Sequence, residues 1–222
     1  MNQMLKIDFV SDVSCPWCVI GLRSLEIALQ RLQGQVQADI HFQPFELNPD
    51  MPPEGQDINE HLVQKYGSTL TELQQTHEDI RQRGAALGFE FGIGKRDRIY
   101  NTFDAHRLLH WAGVEGPPGA QQALKMRLFT AYFTYGLSPG AHDVLLQEAA
   151  KAGLDPVRAH AVLQSEAYAA EVREAEAFVT GKGIRSVPAV ILNDRYLISG
   201  GQPPEVFEQA LRQMASEINA HA

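Results

Sequence analysis

Apolar positions along the chain keep two different rhythms, and the changes between them divide the sequence into three parts. Residues 5–10 alternate weakly around Lys6 and Asp8 and stop at Ser11-Asp12, which predicts a short strand. From 19 to 32 the spacing lengthens: Ile20, Leu22, Leu25, Ile27, Leu29 and Leu32 recur as on one side of a helix, and Gly34 ends the run. Residues 37–45 return to alternation, with Ile40, Phe42 and Phe45 apolar and with Pro44 and Pro49 closing a second strand.

After Asn48 the character changes. Pro49, Pro52, Pro53 and Gly55 make a loop, and residues 58–178 then read as helices separated by glycine and proline breaks near 67, 88–94, 113–119, 136–140 and 153–156, with no strand among them. Beyond Gly181 and Gly183, residues 187–192 form a buried-strand run, Asn193-Asp194-Arg195 a turn, and 196–199 its hairpin partner. A last helix is predicted over 204–218, with Val206, Phe207, Leu211, Met214 and Ile218 on one face. The order is β-α-β, a block of helices, then α-β-β-α. This is an α/β fold in two halves, 1–48 and 172–222, flanking an all-helical insertion over 49–171.

With 222 residues and 44% hydrophobic composition, the chain can bury a core without covalent staples. A formal net charge of -8 argues against nucleic acid and against anionic membrane as partners. The N-terminal residues carry a single Lys, a short apolar run and no small-residue cleavage site, so no secretory leader is expected. No apolar stretch reaches the roughly 18 residues that a membrane span needs. The expected compartment is the cytoplasm, where ordinary thiols stay reduced and two cysteines call for a reason other than a structural disulfide.

Those cysteines are Cys15 and Cys18, in Cys-Pro-Trp-Cys between the first strand and the first helix. Thiol–disulfide exchange needs a thiolate, and a free cysteine, with a pKa near about 8.5, is mostly protonated at neutral pH. The unpaired N–H groups and dipole of a helix N-terminus favour the anion at Cys15. Two intervening residues bring Cys18 onto the first turn, where it can resolve a mixed disulfide formed at Cys15. Pro16 suits the first helical position, and Trp17 offers an apolar surface to a substrate. Far along the chain, Val187-Pro188 opens a strand; were that bond cis and turned toward Cys15, the Val187 backbone would be free to pair with an extended substrate segment.

Several segments carry a family resemblance: Ser-Asp-Val-Ser-Cys-Pro-Trp-Cys-Val-Ile-Gly after the first strand, Asn101-Thr-Phe-Asp-Ala-His-Arg-Leu-Leu-His-Trp-Ala, Leu128-Phe-Thr-Ala-Tyr-Phe, Ser186-Val-Pro-Ala-Val-Ile-Leu-Asn and Ser199-Gly-Gly-Gln-Pro. Over nearly its whole length the chain resembles the FrnE-like branch of the DsbA family. The resemblance implies a thioredoxin-like fold with a helical insertion, Cys15 as nucleophile, Cys18 as resolving thiol and Pro188 as the cis-proline. It also implies that Asn101 and His106 face the cysteine pair. Protein thiols and disulfides are the implied partners, and glutathione is left open as a cosubstrate. No cofactor beyond the dithiol is expected. Ser186 departs from the glycine expected in this branch, and there is no second cysteine pair for a further relay.

Other readings stay open at this point. A lone Cys-x-x-C could be half of a metal knuckle, but a structural zinc site wants four ligands, and there is no second cysteine pair to complete one. Asn101 could simply cap a helix and His106 could be a core residue. The aromatics Phe129, Tyr132, Phe133 and Tyr135 fall at helical spacings and read as core, and the acidic stretch over 166–176 as a solvated helix face. Relatives with the same implied architecture, the kappa-class glutathione transferases and the 2-hydroxychromene-2-carboxylate isomerases, bind glutathione and use Ser where this chain has Cys15. A glutathione-dependent isomerase or transferase is therefore the alternative to a dithiol oxidoreductase.

Overall fold

In a computed structural model that describes residues 4–220, with side chains through residue 217, the first strand β1 (Leu5–Ser11) is covered on both faces. Leu5, Ile7 and Phe9 point into the main core, while Val10 points the other way toward Val179 and Ile184. The chain then enters α1 (Pro16–Arg31), whose Val19, Leu22, Leu25 and Ala28 share the main core, and returns as β2 (Ala38–Pro44), parallel to β1. The cysteine pair thus stands at the C-terminal edge of the central strand.

The insertion starts with β3 (Gln56–Asp57) and α2 (Ile58–Tyr66), capped by the Asp57 carboxylate, which accepts from the Asn59 and Glu60 N–H groups. Next come α3 (Leu70–Ala86), closed by a reciprocal Thr69/Glu72 capping box, and β4 (Arg98–Ile99). The strand β4, paired with β3, corrects the expectation of no strand within 58–178; two-residue strands are too short to leave an alternating pattern. Then follow α4 (Phe103–Val114), α5 (Ala120–Phe129), a π-helical turn over Thr130–Thr134, α6 (His142–Lys151), α7 (Pro156–Leu163) and α8 (Ala169–Gly181).

Leu108, Leu124, Leu128, Leu145, Ala149 and Val162 bind α4 to α7 into a second core, which Val13 enters from the turn before Cys15. Phe129, Tyr132 and Phe133 lie instead in the main core beside the cysteines, as their spacing predicts, whereas Tyr135 is exposed. The helix α8 begins ahead of the expected boundary at 172.

The second half adds β5 (Ala189–Leu192) antiparallel to β1 and β6 (Tyr196–Ser199) antiparallel to β5, giving the order β2-β1-β5-β6. Asn193 and Asp194 take positive φ in the hairpin turn, and their side chains hold the start of β1 through Lys6. The last helix, α9 (Pro204–Ala220), lays Phe207, Leu211 and Met214 against α1. Ile218, expected on the same face, has its side chain outside the described residues.

Candidate active site

Cys15 is the N-cap of α1, with extended backbone (φ -94°, ψ 113°), and Pro16 opens the helix. Its N–H donates to the Asp12 carbonyl at 3.2 Å, and its own carbonyl accepts from the Cys18 N–H at 3.1 Å, so both cysteines sit in a closed first turn. Both are thiols and both are buried, Cys15 at 3% exposure and Cys18 at 0%. Burial, reinforced by the hydrogen bond with Cys15, pushes the Cys18 thiol well above the ordinary range. The Cys15 thiol donates to the Val187 carbonyl at 3.5 Å.

The Val187–Pro188 peptide bond is cis, and the Pro188 ring packs on Gly21 of α1. A β-carbon at Gly21 would lie 3.0 Å from Pro188 Cγ, and one at Gly201 would lie 3.0 Å from the Trp17 carbonyl oxygen. Small residues at these two places let the late hairpin close over the start of α1. The Pro188 carbonyl in turn accepts from the Gly200 N–H at 2.8 Å.

A buried charged group lies beneath the turn. The Asp12 carboxylate accepts from the Ser14 N–H at 3.0 Å and the Leu47 N–H at 2.7 Å, and faces His106 Nε2 at 3.6 Å. Burial works against its ionisation, but the nearby imidazole and the two N–H groups prevail and hold the carboxyl down to about 2. Lys125 of α5 is 1% exposed, its ammonium 5.1 Å from the centre of the Phe129 ring. Burial brings it down to about 8, opposed by the charges of Cys18, Asp12 and Cys15.

Above the turn a cavity of about 750 Å³ opens onto Cys15, between the end of β2 on one side and α2 and α3 on the other. Cys15, Pro16, Trp17 and Val187 line it. Glu46 also lines it, buried, with one oxygen on Arg173 and Oε1 without a partner. Burial and the neighbouring Glu176 carboxylate push Glu46 up to about 7 against the pull of Arg173. Glu176 pairs with the same guanidinium at 2.8 Å and is mostly buried, so this end of the acidic stretch is not the solvated face its sequence predicts.

Neither Asn101 nor His106 is among the residues lining this cavity. The Asn101 side chain accepts from the Phe103 N–H at 2.9 Å at the start of α4 and donates to the Pro49 carbonyl. His106, 2% exposed, is turned inward by α4 onto Asp12. Sequence reading passed over Asp12, Glu46 and Lys125. The one sequence signal for Lys125 is its place directly after Leu124 and three residues before Leu128, on the apolar side of α5.

A dithiol at a helix start, facing a carbonyl that precedes a cis-proline at the head of a strand in the same sheet, defines a thioredoxin-like redox protein. A family model described as a DSBA-like thioredoxin domain matches residues 6–212. The chain belongs to this family, the DsbA-like disulfide oxidoreductases of the thioredoxin superfamily. It is similar to a probable DsbA oxidoreductase, SCO1869, from Streptomyces coelicolor, at 33% identity and a TM-score of 0.86 over 94% of this chain and 89% of that one. It is 27% identical to the uncharacterized protein YwbO of Bacillus subtilis over 93% of this chain and 96% of that protein. In fold it is similar to the cytosolic disulfide reductase DsbM of Pseudomonas aeruginosa, solved with GSH, with 17% identity, a TM-score of 0.63 and coverage of 94% and 98%. Among the described residues no helix is long and apolar enough to cross a membrane, and no group of three or more His, Cys, Asp or Glu could hold a metal ion.

Proposed function

We propose that Cys15 and Cys18 form the working dithiol of a thiol–disulfide oxidoreductase, with Cys15 as nucleophile and Cys18 as resolving thiol. The observation that carries this reading is the position of Cys15, at the start of a helix and 3.5 Å from the Val187 carbonyl. In the reducing direction the Cys15 thiolate attacks one sulfur of a disulfide RSSR, and the other sulfur leaves as RS⁻ and takes a proton. Cys18 then gives up its proton and attacks the Cys15 sulfur, the second RS⁻ leaves, and an internal disulfide remains. The reverse sequence oxidises a dithiol.

The Val187 carbonyl and the neighbouring backbone offer hydrogen bonds to an extended segment beside the disulfide. The substrates are protein or glutathione disulfides, the compartment is the cytoplasm, and nothing beyond the dithiol is required as a cofactor. A glutathione-dependent isomerase or transferase is disfavoured, because a second thiol stands in the same closed turn as the nucleophile and gives any mixed disulfide an internal escape.

The test is trapping. Cys18→Ser, incubated with oxidised glutathione, is expected to accumulate a mixed disulfide at Cys15, seen as one added glutathionyl mass. Cys15→Ser is expected to accumulate none and to lose reductase activity. Full activity in Cys15→Ser refutes the proposal.

A further inference from the structure

We propose that the cavity over Cys15 selects small disulfides bearing carboxylates in preference to the disulfides of folded proteins. The inference rests on the dithiol reading and narrows it to a substrate class.

Access comes first. Cys15 is only 3% exposed, and the space before it is walled by α2 and α3 through Leu62, Leu73 and Ile80. Arg83 of α3 lies over the Trp17 ring at 5.2 Å, so this wall is fastened to the residue beside the nucleophile. A disulfide on a folded protein brings two backbones with it and reaches Cys15 only if the helices part. The cavity, at about 750 Å³, falls within the range usual for small-molecule sites.

Charge comes second. The chain as a whole carries -8, yet the cavity gathers Lys65, Arg96 and Arg185 on its lining. Arg185 stands immediately before Ser186 and Val187, so a cation flanks the backbone that docks the substrate. The Arg96 guanidinium lies over the Tyr132 and Phe133 rings at 5.2 and 4.9 Å. The one acidic side chain lining the cavity, Glu46, already shares Arg173, and its carboxyl is pushed up to about 7, which reduces its negative charge near neutrality. These three cations, Arg96 half-buried and Lys65 and Arg185 exposed at the rim, focus a positive potential on the position a substrate must occupy.

Four disulfides distinguish the possibilities when mixed with the reduced protein in single turnovers: dithiodiglycolate (dianionic), bis(2-hydroxyethyl) disulfide (neutral), cystamine (dicationic) and insulin (a protein). Each rate constant is divided by that of the same disulfide with dithiothreitol, which removes intrinsic reactivity. The expected order places dithiodiglycolate about tenfold or more above cystamine and above insulin, with the neutral compound between, and the spread shrinks in high salt. In Arg185→Met, and separately in Arg96→Met, the ratio of dithiodiglycolate to cystamine is expected to fall. Insulin reacting as fast as dithiodiglycolate, or the same normalised rate for all three small compounds, overturns the inference while leaving the dithiol chemistry standing. Reaction with none of the four removes the redox reading itself, and the inference with it.

Discussion

Asp12 and His106 face each other at 3.6 Å with both side chains almost out of water, one at the end of the central strand and the other on the inserted helix α4. The same carboxylate holds the Ser14 and Leu47 N–H groups, and its own backbone carbonyl holds the N–H of Cys15. One residue thus ties the nucleophile's turn, the loop after β2 and the helical insertion to a single point.

Replacing it by Asn should show how much that tie contributes. The Asp12 carboxyl lies near 3.8 when unfolded and at about 2 in the fold, so its stabilisation is present above about pH 4 and is lost as pH falls through 2. Asp12→Asn is expected to lose about 2–3 kcal/mol at pH 7 by denaturant titration, a gap that narrows as the pH is taken toward 2. An equal gap at every pH would assign the loss to packing alone.

Glu46 shows the opposite slope. Its carboxyl is raised to about 7 from an ordinary 4.5, so the folded protein holds a proton that the unfolded chain has released, and stability falls as pH rises from about 4.5 through 7. In Glu46→Gln that downward slope is expected to flatten, whatever the variant's absolute stability after losing charge on Arg173. Parallel curves for the two proteins between pH 4 and 8 would contradict the assignment.

Lys125 gives a third pH signature. A lysine brought down to about 8 must be charged against the interior below that pH, and the burden lifts as pH rises toward 10.5. Lys125→Met is therefore expected to gain on the order of 1–3 kcal/mol at pH 7, and the gain should close between pH 8 and 10. A variant weaker than wild type by a constant amount would mean that the ammonium has a partner strong enough to offset its burial.

Two glycines separate close packing from chain flexibility. Gly201→Ala puts a β-carbon 3.0 Å from the fixed carbonyl of Trp17 and is expected to cost about 1–3 kcal/mol and to slow thiol exchange at Cys15. Gly181→Ala, at the end of α8, meets nothing within 4 Å and is expected to be neutral or to stabilise by up to about 1 kcal/mol. Thermal melts with a timed alkylation of the thiols would read both effects, and equal losses from the two substitutions would be the wrong result.

What could be read from the sequence was local. The strand, Cys-Pro-Trp-Cys and helix were legible because the apolar rhythm, the proline at the first helical position and the cysteine spacing all act within a few turns. The late hairpin was legible from Asn193-Asp194 and the short apolar runs on either side. Residues 56–57 and 98–99 were not, since their pairing depends on a loop closure over about forty residues rather than on any pattern of their own. That Asn101 holds the start of α4 and that His106 turns inward onto Asp12 was legible only as one of two open readings, because the rotation of α4 is fixed by its packing on α5 and α7. Asp12, Glu46 and Lys125 were missed for a related reason: composition expects charged residues at the surface, and only the fold shows what encloses them.

The most direct test of the central claim is to equilibrate the protein in glutathione buffers of graded redox poise and to count the modified thiols by alkylation and mass. Cys15 and Cys18 are expected to leave the free-thiol pool together, in a single two-electron transition that ends in an internal disulfide with no glutathione attached. Cys15 acquiring glutathione while Cys18 remains a thiol, or neither responding across the range, would contradict it.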